Sequence, residues 1–125
     1  MLKKIVLVAL FVILVILAFM QYNYLENNGQ KFVKMIEEIE ADIYKEDFKS
    51  AEKKADAFNK LWMEAKPKYE MLCEHFEVDK IQSCVEQFNV LLDQQDPFVF
   101  TQTSLLKYYL NHIVDIDSFA FENIF

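Results

Sequence analysis

Ile5 to Met20 reads IVLVALFVILVILAFM, sixteen residues without one polar or charged side chain. Lys3 and Lys4 stand just before it, and Gln21, Tyr22, Asn23 and Tyr24 just after. A bilayer core of about 30 Å requires roughly 20 helical residues, with about 17 as the lower limit. With Leu2 and Leu25 extending its edges, the run is long enough to span. A core helix of this length is seldom apolar on every side. A cleaved signal peptide needs small residues in an Ala-x-Ala-like site, whereas this run ends Leu17-Ala18-Phe19-Met20-Gln21. The expectation is an uncleaved transmembrane signal anchor over residues 1–25, contacting the lipid bilayer through residues 2–25. A short linker at 26–29 and an extracytoplasmic helical bundle over 30–125 follow.

Charge sets the direction. Lys3 and Lys4 ahead of a chargeless span predict a cytoplasmic N-terminus by the positive-inside rule. Tyr22 and Tyr24 suit the outer interface as aromatic anchors. All 20 acidic residues lie at or after Glu26, against eleven lysines and no arginine there, a net of −9. A domain of that charge is a poor partner for nucleic acid, where phosphate contact requires cations. Anionic headgroups would also repel it.

Proline (2) and glycine (1) are scarce. Sheets need turns and turns draw on those residues, so the scarcity predicts long helices with few loops. Asn27-Asn28-Gly29 reads as a short break. Phe32, Ile36, Ile39 and Ile43 then repeat at helical spacing over about 30–45, with Glu37, Glu38, Glu40 and Asp42 turned mostly away. Asp47 is a helix N-cap by type and position. Beyond it Phe48, Ala51, Ala55, Phe58, Trp62, Ala65, Tyr69 and Leu72 alternate three and four apart, four heptads of core positions. The register survives Pro67, which predicts a kinked helix or two stacked pieces. Trp62, at a core position, reads as packing in preference to a ligand-binding aromatic.

Val78, Ile81, Val85, Phe88 and Leu92 form a third stripe. Asp96-Pro97 reads as an N-cap followed by proline at the first helical position. Phe98 to Thr101 has the composition of a short strand, but the start signal and the stripe Phe98, Thr101, Leu105, Tyr108, His112 favour helix. The tail from Asp115 to Phe125 alternates acids and aromatics and is expected to pack on the bundle. The fold class is therefore all-α: an N-terminal transmembrane helix followed by an antiparallel bundle of about four helices. Its core is expected to hold Phe48, Ala55, Phe58, Trp62, Tyr69, Leu72, Val85, Phe88 and Leu105.

The lysine-then-apolar start, the acidic helix after it, Trp62, the run Glu74-His75-Phe76-Glu77-Val78-Asp79-Lys80-Ile81, the pair His112-Ile113 and the ending Glu122-Asn123-Ile124-Phe125 together resemble the domain-of-unknown-function family 4363 of spore-forming Gram-positive anaerobes. The resemblance covers nearly the whole chain. It implies a single-pass membrane protein with no established activity and a membrane-protein partner. Phe76 departs from the glutamate more usual there.

Chemistry is sparse. Glu74, His75, Glu77 and Asp79 form the one polar knot, and His112 is the only other histidine. Imidazole with carboxylates can hold zinc or a related metal, which makes His75, Glu77, Asp79 and His112 weak metal candidates. No His-Glu-x-x-His motif or paired-cysteine ligand set supports them. The plainer reading is helix-end chemistry, with His75 completing one helix and Glu77 or Asp79 capping the next. Alternating helix directions place both histidines at the membrane-proximal end.

Cys73 and Cys84 are an even pair in a domain expected outside, where a disulfide is permitted. A turn near Phe76 or Glu77 offsets them by about three to five residues, roughly 6 Å along the axis. That sits near the limit of about 7 Å for a bridge, so partly buried thiols are the first expectation. Ser50, Ser83, Ser104 and Ser118 sit in no nucleophile-elbow context. No catalytic residue, cofactor or enzymatic activity is assigned. The function read from the chain is a membrane-anchored interaction or accessory module for a membrane partner. The alternative is a small-ligand or metal sensor built on the cluster around His75.

Overall fold

The computed structural model describes the backbone of residues 1–124 and the side chains of residues 1–115. Four helices follow one another: α1 (Leu2–Tyr44), α2 (Phe48–Leu72), α3 (His75–Asp93) and α4 (Val99–Ile124). No strand occurs among the described residues. Each helix packs on its neighbours in sequence, and α4 closes the ring against α1. Short loops force the directions to alternate, giving an antiparallel four-helix bundle.

The expected linker at 26–29 does not exist as a break. α1 runs for 43 residues without interruption, about 64 Å at 1.5 Å per residue. Leu2 through Met20 is exposed along nearly its whole length, and the first fully buried side chain is Leu25. One helix therefore carries the apolar segment and the first strut of the bundle. Gly29 sits where α4 comes close, and a Cβ there would meet Val114 Cγ2 at 3.5 Å and the Leu110 carbonyl at 3.6 Å. Gly29 makes no turn, and the space beside it would hold a methyl in ordinary contact with α4.

Both loops at the end remote from the apolar segment are built alike. Past the end of α1, the Asp47 and Glu46 amides donate back to the carbonyls of Asp42 and Ile43, each at 2.9 Å. Past α3, the Asp96 and Gln95 amides donate to Leu91 (2.9 Å) and Leu92 (3.0 Å). Each is a Schellman closure, with Glu46 (φ 60°) and Gln95 (φ 54°) taking the left-handed position that glycine usually fills. An aspartate then opens the next helix in both. Asp47 Oδ1 accepts from the Ser50 amide at 3.2 Å, and Asp96 Oδ1 from the Phe98 amide at 2.9 Å.

α2 passes Pro67 as one helix. Pro67 and Met63 both lie on the exposed face, so the Met63 carbonyl that proline leaves without its donor faces solvent. The turn to α3 falls at Cys73-Glu74, earlier than expected. His75 opens α3 and does not complete α2, and Glu74, not Glu77 or Asp79, stands at the cap position.

The core runs through Phe32, Phe58, Trp62 and Tyr69. Phe32 meets Phe58 edge-on at 5.4 Å between centroids, and Trp62 meets Tyr69 at 5.4 Å. Ala51, Ala55, Val78, Ile81, Val85, Phe88 and Leu92 are buried around them. Phe48 and Leu72 only border this core. Leu105, expected in the core, is 38% exposed, and α4 buries Val99, Thr103, Leu106, Leu110 and Ile113 instead. The expected packing of Phe119, Phe121 and Phe125 lies outside the described side chains, although the α4 backbone stays helical to Ile124.

Three substitutions check this packing, each by urea unfolding of the detergent-solubilised chain. Trp62→Ala should cost about 3–5 kcal/mol, whereas Leu105→Ala should change stability by about 0.5 kcal/mol or less. Gly29→Ala should stabilise by about 0.5–1 kcal/mol, since the helix gains propensity and the new methyl makes only ordinary contacts.

Candidate functional site

Polar side chains form links between neighbouring helices. Glu40 of α1 holds α4: its carboxylate accepts from Lys107 Nζ at 2.6 Å and from the fully buried Thr103 hydroxyl at 2.7 Å. Asp42 holds α2, accepting from Lys54 Nζ at 2.9 Å and Ser50 Oγ at 2.7 Å. Between α2 and α3, Asn59 and Asn89 exchange side-chain hydrogen bonds at 2.9 Å in each direction. The Trp62 indole N–H donates to Gln82 at 2.8 Å. Beside the asparagine pair, Glu52, Asp56 and Asp93 line an open acidic cleft of about 340 Å³ floored by Ala55 and Leu92.

The four metal candidates do not assemble. His75 opens α3 and Asp79 follows a turn later, both exposed, and Glu77 accepts from Lys80 Nζ at 3.3 Å. His112 stacks on Tyr108 at 5.4 Å between centroids. It lies level with Gly29, which packs on Leu110 and Val114. His75 lies near Gln21, whose side-chain amide donates to the Leu72 carbonyl at 3.0 Å. Both histidines thus occupy the half of the bundle next to the apolar segment, but at different heights. Among the described residues, no three His, Cys, Asp or Glu side chains gather in a set fit to hold a metal. Cys73 and Cys84 are present as thiols, and burial pushes the Cys84 thiol up from its ordinary pKa. The Tyr69 hydroxyl is buried with no hydrogen-bond partner among the described residues, and burial raises its pKa far above the usual phenol value.

Leu105, the one α4 residue expected in the core, lies on the outer face of α4. Phe98 is 69% exposed and Tyr108 58%, with Leu105 between them. Tyr44 at the end of α1 is exposed too and leans on Phe100, 4.6 Å between centroids, which widens the apolar strip. Leu105, Phe100, Thr101 and Ser104 enclose a shallow depression. α4 carries two apolar stripes, and the one that is almost purely aliphatic goes inside. The other keeps its aromatic rings in solvent, and that division into two stripes was the available signal.

Fold and surface together define a class: a four-helix bundle continuous with one apolar helix that is long and apolar enough to cross a membrane. Within that class the chain belongs to the family described as Domain of unknown function (DUF4363), whose model matches residues 19–124. No curated protein and no solved structure matches the chain.

Asp42 yields a pH prediction. The Lys54 and Ser50 hydrogen bonds hold its carboxyl below the ordinary value. A depressed folded pKa contributes stability above the unfolded pKa of about 3.9 that is lost as pH falls through the folded value. Urea midpoints of the wild type should therefore fall below about pH 4, and Asp42→Asn should lessen that fall while lowering the midpoint at pH 7.

Proposed function

We propose that this chain is a membrane-anchored interaction module. α1 crosses the membrane with Lys3 and Lys4 on the cytoplasmic side, and the acidic bundle stands outside as an extracytoplasmic accessory domain. The outer face of α4 receives a membrane-protein partner, and no catalytic step is assigned to the chain. The observation that carries this reading is the exposure of Phe98, just before α4, and of Leu105 and Tyr108 along one face of α4. An apolar strip with an aromatic rim is the surface that an amphipathic helix or hydrophobic groove of another protein covers. Support for orientation comes from the two lysines ahead of the span. The rival reading, a ligand or metal sensor at His75, finds its residues exposed, paired with lysine or at different heights.

Photo-crosslinking amino acids placed at Leu105 and at Tyr108 should each yield one discrete adduct in intact cells. Met63, equally exposed on α2, should yield none. Tyr108→Lys should abolish the adduct formed from position 105. Absence of a discrete adduct at both α4 positions would reject the reading.

A further inference from the structure

The bundle carries a second apolar feature at its other end. Met71 is 85% exposed and Phe76 66%, one on each side of the α2–α3 turn. The Gln21–Leu72 hydrogen bond fixes the height of that turn. Gln21 is the first polar residue after the chargeless run Ile5–Met20. The turn therefore lies beside α1 at the level where the apolar segment ends, and its two largest protruding side chains meet whatever surrounds that segment there. Phe98 and Tyr44 protrude at the opposite end of the bundle, so the same account does not extend to them.

We propose that the α2–α3 turn is a second membrane contact, with Met71 and Phe76 seated in the bilayer interface next to α1. The inference rests on the reading that α1 crosses a membrane. Charge limits its depth. Glu70, Glu74, His75 and Glu77 flank the two apolar residues in the chain, and carboxylates do not enter hydrocarbon, so the turn stops among headgroups and upper acyl carbons. Two lysine ammonium groups lie close to the turn. Lys80 Nζ lies over the Phe76 ring at 4.4 Å, and Lys68 Nζ over the Tyr24 ring at 5.3 Å. The ammonium groups themselves rest on the aromatic faces, and Lys80 is also paired with Glu77 at 3.3 Å. With α1 as one attachment and this turn as another, the bundle is held against rotation about the α1 axis.

Depth-dependent fluorescence quenching tests it, using the full chain in phosphatidylcholine vesicles with bromine at defined acyl positions. The native Trp62 is buried ten residues before Leu72 on α2, about 15 Å farther from the bilayer, and supplies an unquenched background. Met71→Trp and Phe76→Trp should each add emission that bromines near the headgroup quench by half or more. Phe98→Trp should add emission that no bromine reaches. Leu10→Trp, in the middle of the apolar run, reports the span itself and should be quenched by deep bromines. Quenching at position 10 without quenching at 71 and 76 would overturn the second contact and leave the span standing. Loss of quenching at position 10 as well would overturn the span and the contact together.

Discussion

The unbroken backbone ladder of α1 is the constraint on which the rest depends. A helix that leaves an apolar medium must keep every amide and carbonyl satisfied, and continuing the helix does this without loops or caps. Because α1 does not stop at Asn27-Asn28-Gly29, the register of the bundle is locked to the apolar segment. Leu25, Phe32, Ile36 and Ile39 face the core at fixed angles from Met20, and the heights of α2, α3 and α4 follow. Gly29 is no hinge; it lies inside that ladder and packs against α4.

Around α1 the bundle is sorted by a few polar bonds laid over a large apolar core. Glu40 with Thr103 and Lys107 sets the α1–α4 height, Asp42 with Ser50 and Lys54 the α1–α2 height, and the asparagine pair the α2–α3 height. Each joins only one pair of neighbours, and each would lose its partner if the helices slid by one turn. Apolar stripes alone tolerate such slips, since one leucine layer resembles the next. Polar partners that are partly buried do not, because an unpaired polar group away from water costs about 1–3 kcal/mol.

Much of this was legible. The α2 stripe from Ala51 to Tyr69, the Asp47 cap and the stripe from Val78 to Leu92 follow from spacing and capping chemistry alone. Three readings failed for identifiable reasons. Asn27-Asn28-Gly29 has the composition of a turn, but α4 packs against it and overrides local propensity. The α2–α3 turn contains neither glycine nor proline, so its position at Cys73-Glu74 had no local marker. On α4, two apolar stripes share one helix, and periodicity ranks them equally. Aromatic and hydroxyl groups tolerate the wet side, while Leu106, Leu110 and Ile113 do not. The outer strip was visible as residues and invisible as surface until the bundle showed which side was inward. The Glu40 and Asp42 links were missed outright, because their acids lie in a charge run that reads as a solvated face.

The two Schellman loops sit at the far tip of a rigid rod. In the anchored arrangement proposed above, about 35 Å of α1 stands beyond Gln21, with no joint between it and the lipid. Transmembrane helices lean by about 20° on average and more as the bilayer thins. A lean of that size carries the tip about 12 Å sideways, so the molecule acts as a lever whose fulcrum is the lipid surface. Changes in hydrocarbon thickness become lateral displacements of Glu46 and Gln95, and the reach of the α4 strip toward a neighbour is set by the thickness of the membrane as much as by the sequence of the bundle.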